Sequence, residues 1–128
     1  MSNTVFAFEC RVVGHDWTEI VNSTTHNKAK AHYWHEVRDA LDVPYTDIRA
    51  RKIGPAHTSD AFVHNAKYRG MPNIRCGQRV MVGSGRGTIV GHNCSANFDV
   101  LFDEDSPEHA GLTLNVHPSG IALKGAEA

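Results

Sequence analysis

The chain is predicted to be an α+β protein, on three observations. The first half places one amphipathic helical segment between two β-rich runs. The last third, Gly77 to Lys124, consists of short β-rich runs separated by glycines and Asn/Asp/Ser clusters, the punctuation of a small, strongly bent sheet. The stretch between them follows neither period. These features predict a βαβ-like unit over 1–53, a basic linker with a short helix over 54–76, and a compact β-barrel over 77–124.

Thr4 to Val13 is rich in Val and Phe and reads as a strand, closed by the turn residues Gly14-His15-Asp16. Ser23, Thr24 and Thr25 offer N-cap hydroxyls for a helix over Thr25 to Leu41. On a 3.6-residue period Tyr33, Trp34, Val37, Ala40 and Leu41 form the expected buried stripe, with His32, His35, Glu36 and Asp39 on or beside the opposite side. The helix must stop by Val43, because Pro44 disfavours helical geometry before it. Thr46 to Ile53 alternates as a second strand with a basic face, and a strand–helix–strand unit makes the two strands parallel.

Gly54-Pro55 opens the middle segment and Gly70-Met71-Pro72 nearly closes it, with Ser59 or Asp60 capping a short helix from Ser59 to Lys67. No internal repeat or low-complexity tract is visible. In the last third, the glycines of Gly83-Ser84-Gly85-Arg86-Gly87 are read as a hairpin that needs positive φ. On that reading Gly87→Val collapses the fold.

At 128 residues the chain is long enough to bury a core without disulfides. Its three cysteines, Cys10, Cys76 and Cys94, have no paired spacing, which fits a reducing compartment. No apolar run approaches a membrane span, and Glu9 and Arg11 interrupt the first apolar stretch, which lacks the basic start of a secretory signal. A cytoplasmic location is expected, that of the host cell if the chain is phage-encoded. The net charge of −1 excludes a globally basic nucleic-acid binder. The charge is nevertheless uneven. Residues 1–75 carry ten Lys/Arg against eight Asp/Glu, and residues 76–128 carry three against six.

Gly77-Gln-Arg-Val80, Gly87-Thr-Ile-Val-Gly91 and Asn97-Phe-Asp-Val-Leu-Phe-Asp103 together resemble the opening of an SH3-like small barrel, in the broad sense that includes KOW, Tudor and CAP-Gly domains. The GKNDG motif of CAP-Gly domains is absent, and Phe98 and Phe102 are too few for a methyl-lysine cage. Both are expected in the core. Thr24–Leu41 and Thr46–Ile53, followed by a compact β unit ending Leu114-Asn-Val-His-Pro-Ser-Gly120, are similar to small accessory proteins of phages and mobile elements. That resemblance implies a non-enzymatic protein that binds host or phage macromolecules.

Complete catalytic constellations are missing from the sequence. Gly83–Gly87 is followed by a strand and not by the helix a phosphate loop needs. His32, His35 and Glu36 run in the order His-x-x-His-Glu, and His92, Cys94 and His117 lack a paired Cys-x-x-Cys. A solvated helix face with His32–Glu36 and His35–Asp39 pairs is the simpler account. Ser84 is not in a nucleophile elbow, and Cys94 has no electropositive setting. Neither an enzyme nor a cofactor is expected.

The expected binding residues are therefore the basic Arg49, Arg51, Lys67, Tyr68, Arg69 and Arg75, with the acidic loop Asp103, Glu104 and Asp105. Two charged surfaces of opposite sign suit a host or phage protein or nucleoprotein. Basic residues interleaved with an aromatic also suit nucleic acid as the alternative partner.

Overall fold

A computed structural model describes residues 4–123. Lys124, the end of the expected barrel, and the tail after it lie outside the described residues. Two compact units divide the chain, Thr4–His57 and the residues from Thr58 onward. Among the described residues no helix is long and apolar enough to cross a membrane.

The first unit comprises β1 (Phe6–Val12), β2 (Thr18–Ser23), α1 (His26–Leu41), a 3-10 turn at Tyr45–Asp47 and β3 (Ile48–Pro55). Its sheet order is β2-β1-β3, and both pairings are antiparallel. The parallel pairing expected of the runs at 4–13 and 46–53 is thus corrected. The reason is β2, a strand not anticipated from the sequence, which reverses the chain before the helix begins. Since β1 is antiparallel to both neighbours, β2 and β3 run parallel with β1 between them. Strands β2 and β3, which flank α1 in the chain, are separated in the sheet by β1.

The Thr25 hydroxyl caps α1 by accepting from Lys28 N at 3.1 Å. The helix ends at Asp42, which adopts the left-handed conformation at φ 50°. Ala29, Tyr33 and Val37 face the sheet and pack with Phe8, Cys10, Val12, Val21 and Ile48. Each large apolar side chain so buried contributes about 1.5–3 kcal/mol. Trp34 and Leu41 are half-buried against this cluster, and the Trp34 indole donates to Val43 O at 2.9 Å. Ala40, expected in the stripe, is exposed.

The second unit comprises α2 (Asp60–Tyr68), β4 (Arg79–Val82), β5 (Gly85–His92), β6 (Phe98–Phe102), β7 (Thr113–Val116), a 3-10 turn at Pro118–Gly120, and β8 (Ala122–Leu123). The sheet order is β7-β6-β5-β4-β8, antiparallel throughout. It does not close, because β7 and β8 are its two edges. Phe62 and Ala66 of α2 and Ile74 pack with Val80, Ile89, Phe98, Val100 and Phe102. Residues 54–76 are therefore no linker: their first part completes β3, and the rest supplies core to the second unit. The apolar Phe62, Ala66 and Ile74 were the signal that this segment is buried.

Gly83 and Ser84 make the two-residue turn between β4 and β5, with Gly83 at φ 61°. Gly87 is not at positive φ, which corrects the reason expected for its being glycine. A Cβ there would lie 2.7 Å from Leu101 O and 2.7 Å from Val100 Cγ1. Close approach of β6, not torsion, excludes a side chain.

Candidate macromolecule-binding surface

The register of the first sheet sets the candidate surface. Phe8, Cys10 and Val12 point to the core beneath α1, so the alternate residues Ala7, Glu9 and Arg11 point to the other face. Cross-strand neighbours complete three rows. Thr18, Arg11 and Arg49 lie in the first, Ile20, Glu9 and Arg51 in the second, and Asn22, Ala7 and Gly54 in the third.

The third row is committed to structure. The Asn22 amide donates from Nδ2 to His57 O at 2.8 Å and accepts from His57 N at 2.8 Å, and Ala7 is buried. The second row holds the Arg51–Glu9 ion pair at 3.0 Å, with Ile20 40% exposed beside it. In the first row Arg11 is exposed, and its side chain has no ion-pair or hydrogen-bond partner among the described residues. Arg49 is also exposed. It donates from Nη1 to Thr46 O at 2.7 Å and to Ile48 O at 3.1 Å. Trp17, 56% exposed, immediately precedes Thr18.

The expected basic set does not gather on one unit. Arg49 and Arg51 belong to the first unit, and Lys67, Tyr68, Arg69 and Arg75 to the second. Lys67 and Tyr68 are exposed at the end of α2. Arg69 is a latch: it donates to Ser95 O at 2.8 Å, Ala96 O at 3.3 Å and Asn97 Oδ1 at 3.1 Å, holding the β5–β6 loop. Arg75 donates to Pro72 O at 2.8 Å and Ile74 O at 2.7 Å, bracing its own turn.

The acidic loop divides in the same way. Asp103 is buried and pairs bidentately with Arg79, Oδ1 to Nη1 at 2.6 Å and Oδ2 to Nη2. The Arg79 guanidinium also reaches Thr88 Oγ1 at 2.8 Å, and its pKa rises because the Asp103 carboxylate bonds and faces it. Arg86 Nη2 donates to Asp105 O at 3.0 Å. Asp105 and Glu104 are exposed. Asp103 is therefore a structural residue, and the solvated acidic surface is smaller than the sequence suggested.

A carboxyl cluster lies where β2 meets α1. His32 Nε2 is 2.6 Å from Glu36 Oε1, as the i, i+4 spacing predicted. Glu19, opposite Cys10 in the register, lies close to Glu36. Burial and the neighbouring Glu36 push the Glu19 carboxyl up, and the bond to His32 holds Glu36 down. Burial raises the Cys10 thiol to about 11, far from a nucleophile's range. Among the described residues no group of three or more His, Cys, Asp or Glu is arranged to hold a metal ion. His92 packs edge-on against Phe62 instead.

No protein-family model matches the chain, and no curated protein or solved structure is detectably similar to it. The surface must therefore be read from its own chemistry. Thr18 and Ile20 were missed because β2 was missed, and Arg11 because the antiparallel pairing that sets it beside Arg49 was not anticipated. The alternation of Ile20 and Asn22 against Glu19, Val21 and Ser23 was the available signal, diluted by its polar residues.

Proposed function

We propose that this chain is a non-enzymatic binding protein, of the accessory kind that phages and mobile elements encode, and that it engages a host or phage macromolecule. One observation carries this reading. The three-stranded sheet is packed under α1 on one face and presents Arg11, Arg49, Arg51, Thr18 and Ile20 on the other, against the single carboxylate of Glu9. Solvated sheet faces ordinarily mix charges. Exposed Arg is instead a residue type enriched at interfaces and their hot spots.

The commitments of the other polar groups support binding over catalysis. Asp103 serves Arg79, Arg69 serves a loop, and the Cys10 thiol is buried. We also read the second unit as an SH3-like small barrel. That reading is supported by a four-stranded meander followed by one 3-10 turn and a short strand that returns to pair with β4.

A photo-crosslinking amino acid at position 20 tests the surface, with the same group at position 36 on the helix as the control. Adducts from position 20 that weaken with Arg51→Glu are expected. Equal adducts from both positions, or none from position 20, overturn the assignment of the sheet face.

A further inference from the structure

We infer that the free edge of β2 pairs with the same edge of a second copy of this chain, making one six-stranded sheet across a two-fold axis at Ile20. The inference goes beyond the binding surface described above, because edge-to-edge pairing leaves the open sheet face uncovered.

The first ground is the direction of the backbone groups. Val13 N donates to Asp47 O at 2.9 Å, one step beyond the Val12–Ile48 pair. Alternate residues of an antiparallel strand bond to opposite neighbours. Arg11 and Val13 therefore bond toward β3, and Phe8 and Cys10 toward β2, where Val21 and Glu19 are their partners. That leaves the N–H and C=O groups of Thr18 and Ile20 pointing out of the sheet, and β2 is its last strand. Thr18, Glu19 and Ile20 are all exposed.

The second ground is a contrast with the other edges. Unpaired edges are ordinarily blunted by charge, proline, a bulge or shortness. Strand β3 carries Arg49, Arg51, Lys52 and Pro55, and its register with β1 shifts near its end. Among the described residues β7 has four residues and β8 two. Strand β2 has six residues, with neither proline nor a basic residue. Its one charge, Glu19, lies opposite Cys10 on the face packed under α1.

Charge then selects a second copy as the occupant. An axis at Ile20 sets Ile20 against Ile20 of the second copy, Thr18 against its Asn22, and Glu19 against its Val21, so no like charges meet. The row Arg49–Arg11–Thr18 runs on into Asn22–Ala7–Gly54 of the second copy, which keeps the two basic rows apart. In the central row the isoleucines, each 40% exposed in the single chain, meet between two Arg51–Glu9 ion pairs. That is an apolar centre with a charged rim. An axis one residue earlier would oppose Glu19 to itself, and one residue later would separate the isoleucines. With strands about 4.8 Å apart, the two Arg51 residues lie about 24 Å apart, and the dimer presents the open face twice on one sheet.

The test is sedimentation equilibrium of the full chain, loaded from about 1 µM to about 1 mM. A concentration-dependent monomer–dimer equilibrium is expected. Ile20→Pro removes an outward N–H and should abolish the dimer, with circular dichroism checking that the variant is folded. Ile20→Lys sets two ammonium groups at the axis and should shift association to higher concentration, most strongly at low salt. It decides the matter if the proline variant does not fold. In a Cys94→Ser background, Ile20→Cys should form a disulfide-linked dimer on mild oxidation, since paired Cα atoms about 5.5 Å apart suit a disulfide. Glu19→Cys, set against Val21, should not.

A monomer at every concentration overturns the inference, as does assembly that continues beyond the dimer. A dimer left intact by a folded Ile20→Pro variant, or by Ile20→Lys where the proline variant is unfolded, also overturns it. Equal crosslinking from positions 19 and 20 overturns the register.

Discussion

Asp103 and Gly87 look ordinary in the sequence, one in an acidic run and one in a glycine-rich hairpin. Their roles come from residues far along the chain. Asp103 meets Arg79 because β4 and β6 both flank β5, which brings residues 24 apart together. Asp103→Asn removes the charge from a buried partner and leaves a half-buried guanidinium facing an amide. A loss of about 2 kcal/mol is expected, below the range for fully buried pairs because Arg79 is partly solvated. Urea denaturation checks it, and an unchanged midpoint would refute the structural role. Gly87→Val would drive a branched side chain into Leu101 O and Val100. A cost of about 3 kcal/mol is expected from overpacking. A variant that melts with wild type would show that β6 can move aside. The hairpin was legible from its glycines, but which glycine serves the turn and which the packing was not.

Helix α1 and strand β2 illustrate the same division at the level of elements. The length and most of the apolar stripe of α1 follow from local signals: Tyr33 and Val37 sit where those signals put them, and of the three hydroxyls that could cap the helix it is Thr25 that does so. Strand β2 carries polar residues at alternate and non-alternate positions, so its existence depends on pairing with β1. Where the two elements meet, Glu19 and Glu36 have opposed titration. A carboxyl whose folded pKa is raised, as at Glu19, stabilises the fold while protonated and loses that contribution as pH rises through its folded pKa. Glu36, held down by His32, contributes above the ordinary carboxyl range and loses it as pH falls. Glu19→Gln removes the first effect and leaves the His32–Glu36 pair in place. The variant should therefore melt above wild type near neutrality and converge with it toward about pH 4, the ordinary glutamate range. Both tryptophans, Trp17 and Trp34, belong to this unit, so indole fluorescence against temperature and pH reads it directly. A difference independent of pH would discard the raised Glu19 carboxyl as its cause.

Across the whole chain, the basic and acidic halves of the sequence do not coincide with the structural units. Residues 4–57 carry seven Lys/Arg and seven Asp/Glu, and 58–123 carry five and six. The asymmetry in sequence is spread over two nearly neutral bodies, and what remains is a local basic row on one sheet. Thiol chemistry offers a test at this scale. Cys10 is buried with its pKa raised to about 11, whereas Cys94 is exposed. A thiol-reactive probe should modify Cys94 rapidly and Cys10 only as the first unit unfolds, read by peptide mass spectrometry. Comparable rates at both would contradict the buried sheet face. The sequence by itself determined the α+β class, both helices with a short choice of capping residues for each, most of the strands and most of the apolar stripe of α1, because these depend on periods and hydroxyls within a few residues. Only the tertiary structure decided strand direction, the boundary between His57 and Thr58, the burial of Asp103 and the meeting of Arg11 with Arg49. Those depend on register between distant segments, and register is fixed by which faces can be buried together.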